Sequence, residues 1–220
     1  DQFLPFLPAS MKKKLVNKHN RDLASSFDQV VATTNFASRE FHEIGIQNLV
    51  RISLGVDLHT FHPDLRSEEL RTDLLKGANV LLVHCGRMSR EKEPHRSIDA
   101  LEILLKKGIR ARLVYVGTGP LWHKLRKKAE GLPVEFLGYI ADRNKVARIL
   151  ASADVSIAPG PLETFCLAAL ESLASGTPVV ASSSSAVGEF LINSHHHPAG
   201  AVAQDQRFSF AHAVIHLLKR

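Results

Sequence analysis

From residue 79 onward, short apolar runs and amphipathic stretches take turns along the chain. Runs rich in Val, Ile, Leu and Ala occupy 80–84, 112–116, 134–137, 155–158 and 178–181, with a weaker sixth at 200–203. Their consecutive apolar positions fit strands buried on both faces rather than half-exposed ones. Between them the apolar residues fall at helical spacing. Ile98, Leu101 and Leu105 mark one face of a helix over 97–107, and Leu167, Leu170, Leu173 and Ala174 mark another. Ala211, Val214, Leu217 and Leu218 give the apolar side of a last helix over 208–220. Strands alternating with helices predict an α/β fold, a doubly wound parallel sheet of the Rossmann-like kind with right-handed crossovers.

Ahead of residue 79 the pattern is less regular. Residues 1–10 read as a loop, because Pro5 and Pro8 bar a helix interior. A basic helix over 12–27, a buried strand over 29–34, a short helix over 37–44 stopped by Gly45, and a strand over 48–54 follow. No internal repeat or low-complexity segment interrupts the chain.

With 220 residues, the chain has room for one good-sized core, or one core and a smaller appendage. Its 45% hydrophobic and 23% charged residues are those of an ordinary globular protein. No apolar run approaches the roughly 20 residues of a membrane span, and the opening residues lack the features of a signal peptide. Cys85 and Cys166 each flank a predicted strand, which fits reduced thiols and a cytoplasmic setting. The net charge of +6 gathers in 11–21 (MKKKLVNKHNR) and 122–128 (WHKLRKK). Solvated helix faces are the plain reading of both; anionic lipid head groups or a nucleotide diphosphate are the functional one. No helix-turn-helix, RNP or zinc pattern accompanies the charge, so nucleic acid is not an expected partner. His195, His196 and His197 cannot readily converge on one ion, and no further ligand follows at metal spacing, so they read as an exposed loop. His84 and His95 read as locally hydrogen-bonded.

In sheets of this kind ligands bind beyond the carboxyl ends of the strands, and four stretches there carry candidate chemistry. In Gly86-Arg87-Met88-Ser89-Arg90-Glu91-Lys92, Arg87 can fork onto a phosphate and Lys92 can add a point charge. In Gly117-Thr118-Gly119-Pro120 the glycines permit a tight turn and a close backbone approach to a ligand. The third glycine of a dinucleotide fingerprint is absent there. Gly138-Tyr139-Ile140 follows the third strand. Finally, Glu163 precedes the helix that begins near Leu167, and Glu171 flanks its buried stripe. A carboxylate at Glu171 is costly unless it accepts hydrogen bonds. Ribose hydroxyls would supply them, and the helix N-terminus would hold a phosphate. The alternative is a helix-start Glu and a solvated Glu without a ligand.

Glu163-Thr164-Phe165, Ala169-Leu170-Glu171 and Gly176-Thr177-Pro178-Val179-Val180 together resemble the E-x7-E signature of retaining, GT-B-fold glycosyltransferases of the family 4 type. The Arg87–Lys92 loop resembles that family's GR-x-x-x-x-K, and Gly117–Pro120 its GxGP turn. Gly55-Val56-Asp57 with Phe61-His62-Pro63 resembles the segment that crosses between its two domains. Cys166 departs from the pattern, standing where the family usually has Gly. Ser182–Ser185 and Gly188-Glu189 occupy the family's G-x-P-E turn without its Pro, so Glu189 is read as structural. Within the group, the motifs are most similar to bacterial α-mannosyltransferases that use GDP-mannose to build glycolipids.

The resemblance implies that 1–57 is the tail of an N-terminal acceptor domain, most of it missing here, and that 58–220 is the Rossmann-like donor domain. It implies transfer of a sugar, mannose from GDP-mannose, to a lipid or glycan acceptor with retention. Donor-binding residues would be Gly86, Arg87, Lys92, Gly117, Gly119, Tyr139, Ile140, Glu163, Phe165, Cys166, Leu167 and Glu171, with Arg87, Lys92 and Glu163 acting in catalysis. Tyr139 and Ile140 would sit at the base, Glu171 at the ribose and Glu163 at the sugar. The nucleotide sugar is then a substrate, and neither cofactor nor metal is expected. The location implied is cytoplasmic, with peripheral contact at the inner membrane surface through the basic residues. Two other functions stay open: a nucleotide-sugar-binding portion or pseudo-enzyme inactive by itself, and a basic adaptor for phosphates or membranes.

Overall fold

A computed structural model describes residues 8–191 and 198–219. His195, His196 and His197 lie outside the described residues. The chain divides into two compact units, Asp1–Leu54 and Gly55–Arg220.

The first unit contains α1 (Ala9–Ser25), β1 (Val30–Ala32), α2 (Asn35–Glu43) and β2 (Leu49–Arg51). β1 and β2 pair in parallel, with Val30 opposite Leu49. The strands are shorter than the apolar runs predict, and among the described residues the ladder here joins these two. Thr34 starts α2 as an N-cap, its hydroxyl accepting the Ala37 N–H at 3.0 Å.

Among its described residues the second unit holds six strands: β3 (Val80–Cys85), β4 (Ala111–Val116), β5 (Val134–Gly138), β6 (Val155–Ala158), β7 (Val179–Ser182) and β8 (Gly200–Ala203). All pair in parallel, in the order β5-β4-β3-β6-β7-β8. The chain thus builds outward from β3 to one side, then returns beside β3 and builds to the other. That is the doubly wound topology expected from the alternation of runs.

Among the described residues, seven α-helices accompany these strands: α3 (Glu68–Leu75), α4 (His95–Lys106), α5 (Trp122–Lys128), α6 (Arg143–Ser152), α7 (Leu167–Ala174), α8 (Gly188–Leu191) and α9 (Ser209–Leu218). Side chains on a strand point to alternate faces, and the packing follows that period. Leu82, Leu113 and Tyr115 join a core with Ile98, Leu101 and Leu104 of α4 and Phe210 and Val214 of α9. Their strand neighbours Leu81, Val83, Val114 and Val116 pack on the opposite face against Leu74 of α3 and Val146, Ile149 and Leu150 of α6. The central strands are largely apolar because each face has its own helix layer, while towards the edge Arg112 of β4 pairs with Glu135 of β5 at 2.8 Å.

The reversal of strand order falls between β3 and β6. A crevice opens at such a switch point, because the loops leaving the two strands turn in opposite directions.

Candidate functional site

The loops that leave β3, β4 and β5 are laced together by their backbones. Gly86 N–H donates to the Val116 carbonyl at 2.9 Å, Met88 N–H to Thr118 at 2.9 Å, Leu121 N–H to Met88 at 2.9 Å and Gly117 N–H to Gly138 at 2.8 Å. Gly117 adopts φ 127°, and a Cβ there would fall on the Gly86 carbonyl oxygen. A Cβ on Gly119 would come within 2.5 Å of the Met88 carbonyl oxygen. The glycines of this turn are therefore required by loop-on-loop contact, quite apart from any ligand.

Beside these loops lies a cleft of about 620 Å³. Gly86, Arg87, Gly117, Gly119, Tyr139, Ile140 and Glu171 all line it, so seven of the expected donor residues, drawn from four separate stretches, meet at one cavity. Arg87 is exposed, and Tyr139 is 77% exposed at its mouth. Glu171 is the reverse: its residue is only 7% exposed. Its carboxylate accepts a hydrogen bond from Arg143 at 2.7 Å, the charged partner that a buried carboxylate requires. Arg143 stands in the first turn of α6, whose N-cap Asp142 accepts the N–H groups of Asn144 and Lys145. Its guanidinium carbon lies 4.8 Å over the centre of the Phe61 ring.

A second group consists of Lys92 and Glu163, which pair at 2.5 Å. Glu163 is anchored through its backbone, its carbonyl accepting the Ala186 N–H at 2.8 Å. Lys92, Glu163, Phe165, Cys166 and Leu167 do not line the cleft itself. Phe165 is buried against Phe190 at 5.6 Å between ring centres, whereas Leu167 is exposed. Cys166 joins the two groups electrostatically, since the charges of Glu163, Lys92 and Glu171 all bear on its thiol.

Cys166 is the N-cap residue of α7, with φ 74° and ψ 78° and no side-chain cap bond. That is the left-handed region, which costs an L residue with a Cβ and costs glycine little. Burial, then the Glu163 charge, pushes its thiol up to about 11. Burial, then the Glu171 charge, pushes Cys85 up to about 12. Both are protonated at neutral pH.

Beneath the Arg87 loop, His84 is buried with Nδ1 2.9 Å from the Ser97 hydroxyl and its ring 4.9 Å from that of Tyr115. The Tyr115 hydroxyl donates to the Pro94 carbonyl at 2.5 Å. Burial, helped by the Lys92 charge, lowers the imidazole to about 3, so it is neutral. His84 ties β3 to α4 and Tyr115 ties β4 to the start of α4, which fixes both ends of the loop that presents Arg87 and Lys92.

Thr118, Pro120 and Arg143 also line the cleft. Thr118 and Pro120 lie inside a turn already recognised. Arg143 belongs to no motif, and only its place just past the end of β5 could have marked it. Among the described residues, no group of three or more His, Cys, Asp or Glu stands close enough to hold a metal ion. No described helix is long and apolar enough to cross a membrane.

Residues 79–220 match the family model described as glycosyl transferases group 1. A GDP-mannose-dependent alpha-(1-6)-phosphatidylinositol dimannoside mannosyltransferase of Mycobacterium tuberculosis is 49% identical over 214 residues, 97% of this chain and 55% of that protein. A GDP-mannose-dependent alpha-mannosyltransferase of Corynebacterium glutamicum is 30% identical over 153 residues, 69% of this chain and 35% of its own length. The chain thus spans about half, or less, of the length of these relatives. Among solved structures, Anabaena HepE in complex with UDP and glucose superposes with a TM-score of 0.76 over 92% of this chain and 58% of its own, at 20% identity. At that identity the likeness carries the fold, that of a GT-B glycosyltransferase. On its sequence, its sheet and these matches, the chain belongs to the group 1 glycosyltransferases.

Proposed function

We propose that this chain carries the donor-binding portion of a GDP-mannose-dependent mannosyltransferase, which transfers mannose with retention to a glycolipid or glycan acceptor. One observation carries the reading. Arg87, the Gly117–Gly119 turn and the buried Glu171 converge on one cleft at the switch point, in a chain 49% identical to a mannosyltransferase named for GDP-mannose.

In this reading the base lies against Tyr139 and Ile140 and the ribose hydroxyls donate to Glu171. The diphosphate sits by the Gly86–Arg87 and Gly117–Gly119 loops, and the sugar lies near Glu163. As the bond from the anomeric carbon to the β-phosphate oxygen breaks, negative charge grows on the leaving GDP. Arg87 opposes it through a forked contact and Lys92 through the N–H groups not engaged by Glu163. The N-terminal end of α7 adds a favourable dipole. Lys92, held by Glu163, and the backbone of α7 are in place before the reaction begins, which is how electrostatic stabilisation lowers a barrier. The charge is met by side chains and backbone dipoles, with no metal invoked.

A second reading is donor binding without transfer by this chain alone, since the residues that meet at the cleft are ones suited to holding a nucleotide. Release of free GDP and labelled glycolipid, against binding alone, separates the two. Peripheral attachment to anionic membranes rests on the exposed Lys13, Lys14, Lys18 and Arg21 of α1.

Calorimetric titration with GDP, UDP and ADP tests the donor site. The expected result is selective binding of GDP that survives EDTA, weakened by about tenfold or more in Glu171→Ala, as loss of a hydrogen bond to a charged group should do. Equal affinity for all three nucleotides, or a Glu171→Ala variant that binds as the wild type, would contradict it.

A further inference from the structure

We infer that Arg143 is a ligand of the nucleotide, acting with Glu171 as one unit that recognises the ribose; the inference rests on the donor-site reading above. Arg143 opens α6 just past the end of β5, on the rim of the same cleft as Arg87. Three observations separate it from an ordinary surface ion pair.

First, the pair is asymmetric in burial. The Glu171 side chain is 9% exposed while that of Arg143 is 61% exposed, so a solvent-facing cation reaches inward to an almost dry carboxylate. Second, the guanidinium is seated. It lies 4.8 Å over the ring of the fully buried Phe61, which limits the directions in which its remaining N–H groups can point. Third, both partners line the cavity, so the ion pair forms part of its wall.

The hydrogen-bond inventory then favours a shared ligand. Arg143 reaches only one carboxylate oxygen, Oε1. A carboxylate offers about four lone-pair positions, so acceptor capacity is left for ribose hydroxyls. A guanidinium has five N–H donors in a rigid fork, and one of them is used here. A ribose hydroxyl both donates and accepts. One such group can therefore donate to Glu171 and accept from Arg143, a closed arrangement that lysine, a point charge without the fork, reproduces only in part. Arg143 also holds the carboxylate in place on the cleft wall before the nucleotide arrives, so little reorganisation accompanies binding.

The test is calorimetric titration of wild type, Arg143→Ala and Arg143→Lys with GDP and with 2′,3′-dideoxy-GDP, which lacks the two ribose hydroxyls. A thermal melt of each variant checks folding. The wild type should prefer GDP. Arg143→Ala should bind GDP about tenfold or more weakly, the loss expected for a hydrogen bond to a charged group, and its preference for GDP over the dideoxy compound should fall toward one. Arg143→Lys should recover part of both. If Arg143→Ala binds GDP as the wild type does, or binds it more weakly while keeping the full preference for the ribose, Arg143 is a structural partner of Glu171 and the inference is overturned. If the wild type binds no nucleoside diphosphate, the donor-site reading fails and this inference falls with it.

Discussion

Cys166 holds backbone angles that glycine adopts at little cost, and it does so at the start of the helix that carries Glu171. Among the described residues only Lys76 and Glu93 share that left-handed state without being glycine, and both lie away from the cleft. The thiol is partly buried, and packing against Ala169, Val179 and their neighbours compensates some of the backbone cost. Replacing Cys166 by Gly should therefore raise the unfolding free energy, by about 0.5–1 kcal/mol after the lost packing is subtracted. Urea denaturation would read this as a higher midpoint; a lower midpoint would mean that packing outweighs the strain. The raised thiol, about 11, makes a second prediction: alkylation of native Cys166 at pH 7 should be far slower than that of a free thiol, because the thiolate is the nucleophile. Sequence pointed to this residue through a missing glycine. It gave no hint of the positive φ that explains why glycine is usual there, because backbone angles are not written in residue type.

At the scale of elements, the cleft depends on three loops being held against one another. Gly117→Ala would drive a methyl group into the Gly86 carbonyl in a backbone conformation that already disfavours a Cβ. Such overpacking should cost about 1–3 kcal/mol and separate the Gly86–Arg87 loop from its neighbour, with GDP binding reduced further than stability alone explains. Gly77, which has open space around its Cβ position, is the control for left-handed strain without the collision. Much at this scale was legible. The helix bounds of α7 follow from Leu167, Leu170 and Leu173, and all six strand runs appear within a residue or so of their places. The alternation calls for a helix where α6 lies, but its bounds are not marked, although Asp142 is a helix cap and Val146, Ile149 and Leu150 keep helical spacing. Its charged and polar residues, Arg143, Asn144, Lys145 and Arg148, dilute the apolar face until the cap is recognised. Without those bounds nothing singles out Arg143. The pairing of Lys92 with Glu163 was invisible for a different reason: 71 residues separate them, and only the sheet order brings the two loops together.

For the whole molecule, His84 supplies a titration that couples the core to pH. Burial sets its folded value near 3, below the ordinary 6.5. Between those values the unfolded chain binds a proton that the folded chain does not. This contribution to stability is fully present above pH 6.5 and is lost as pH falls toward 3, at up to about 1.4 kcal/mol per pH unit. Denaturation followed from pH 7 to 4 should show the decline. His84→Gln, which can still meet Ser97, should be less stable at pH 7 but flatter across this range; an equally steep profile would assign the decline to other groups. The doubly wound sheet itself could be read from the alternation of apolar runs and helical stretches, since each strand needed two apolar faces and each helix one. The cleft's shape could not, because it arises from backbone contacts between loops far apart in sequence.

The most direct test of the donor site is a crystal structure of this chain with GDP-mannose. The nucleotide should lie in the cleft, its ribose hydroxyls within hydrogen-bond distance of Glu171, its diphosphate against Arg87 and the Gly117–Gly119 turn, and its mannose toward Glu163. A nucleotide bound elsewhere, or one in the cleft whose ribose does not meet Glu171, would contradict the account.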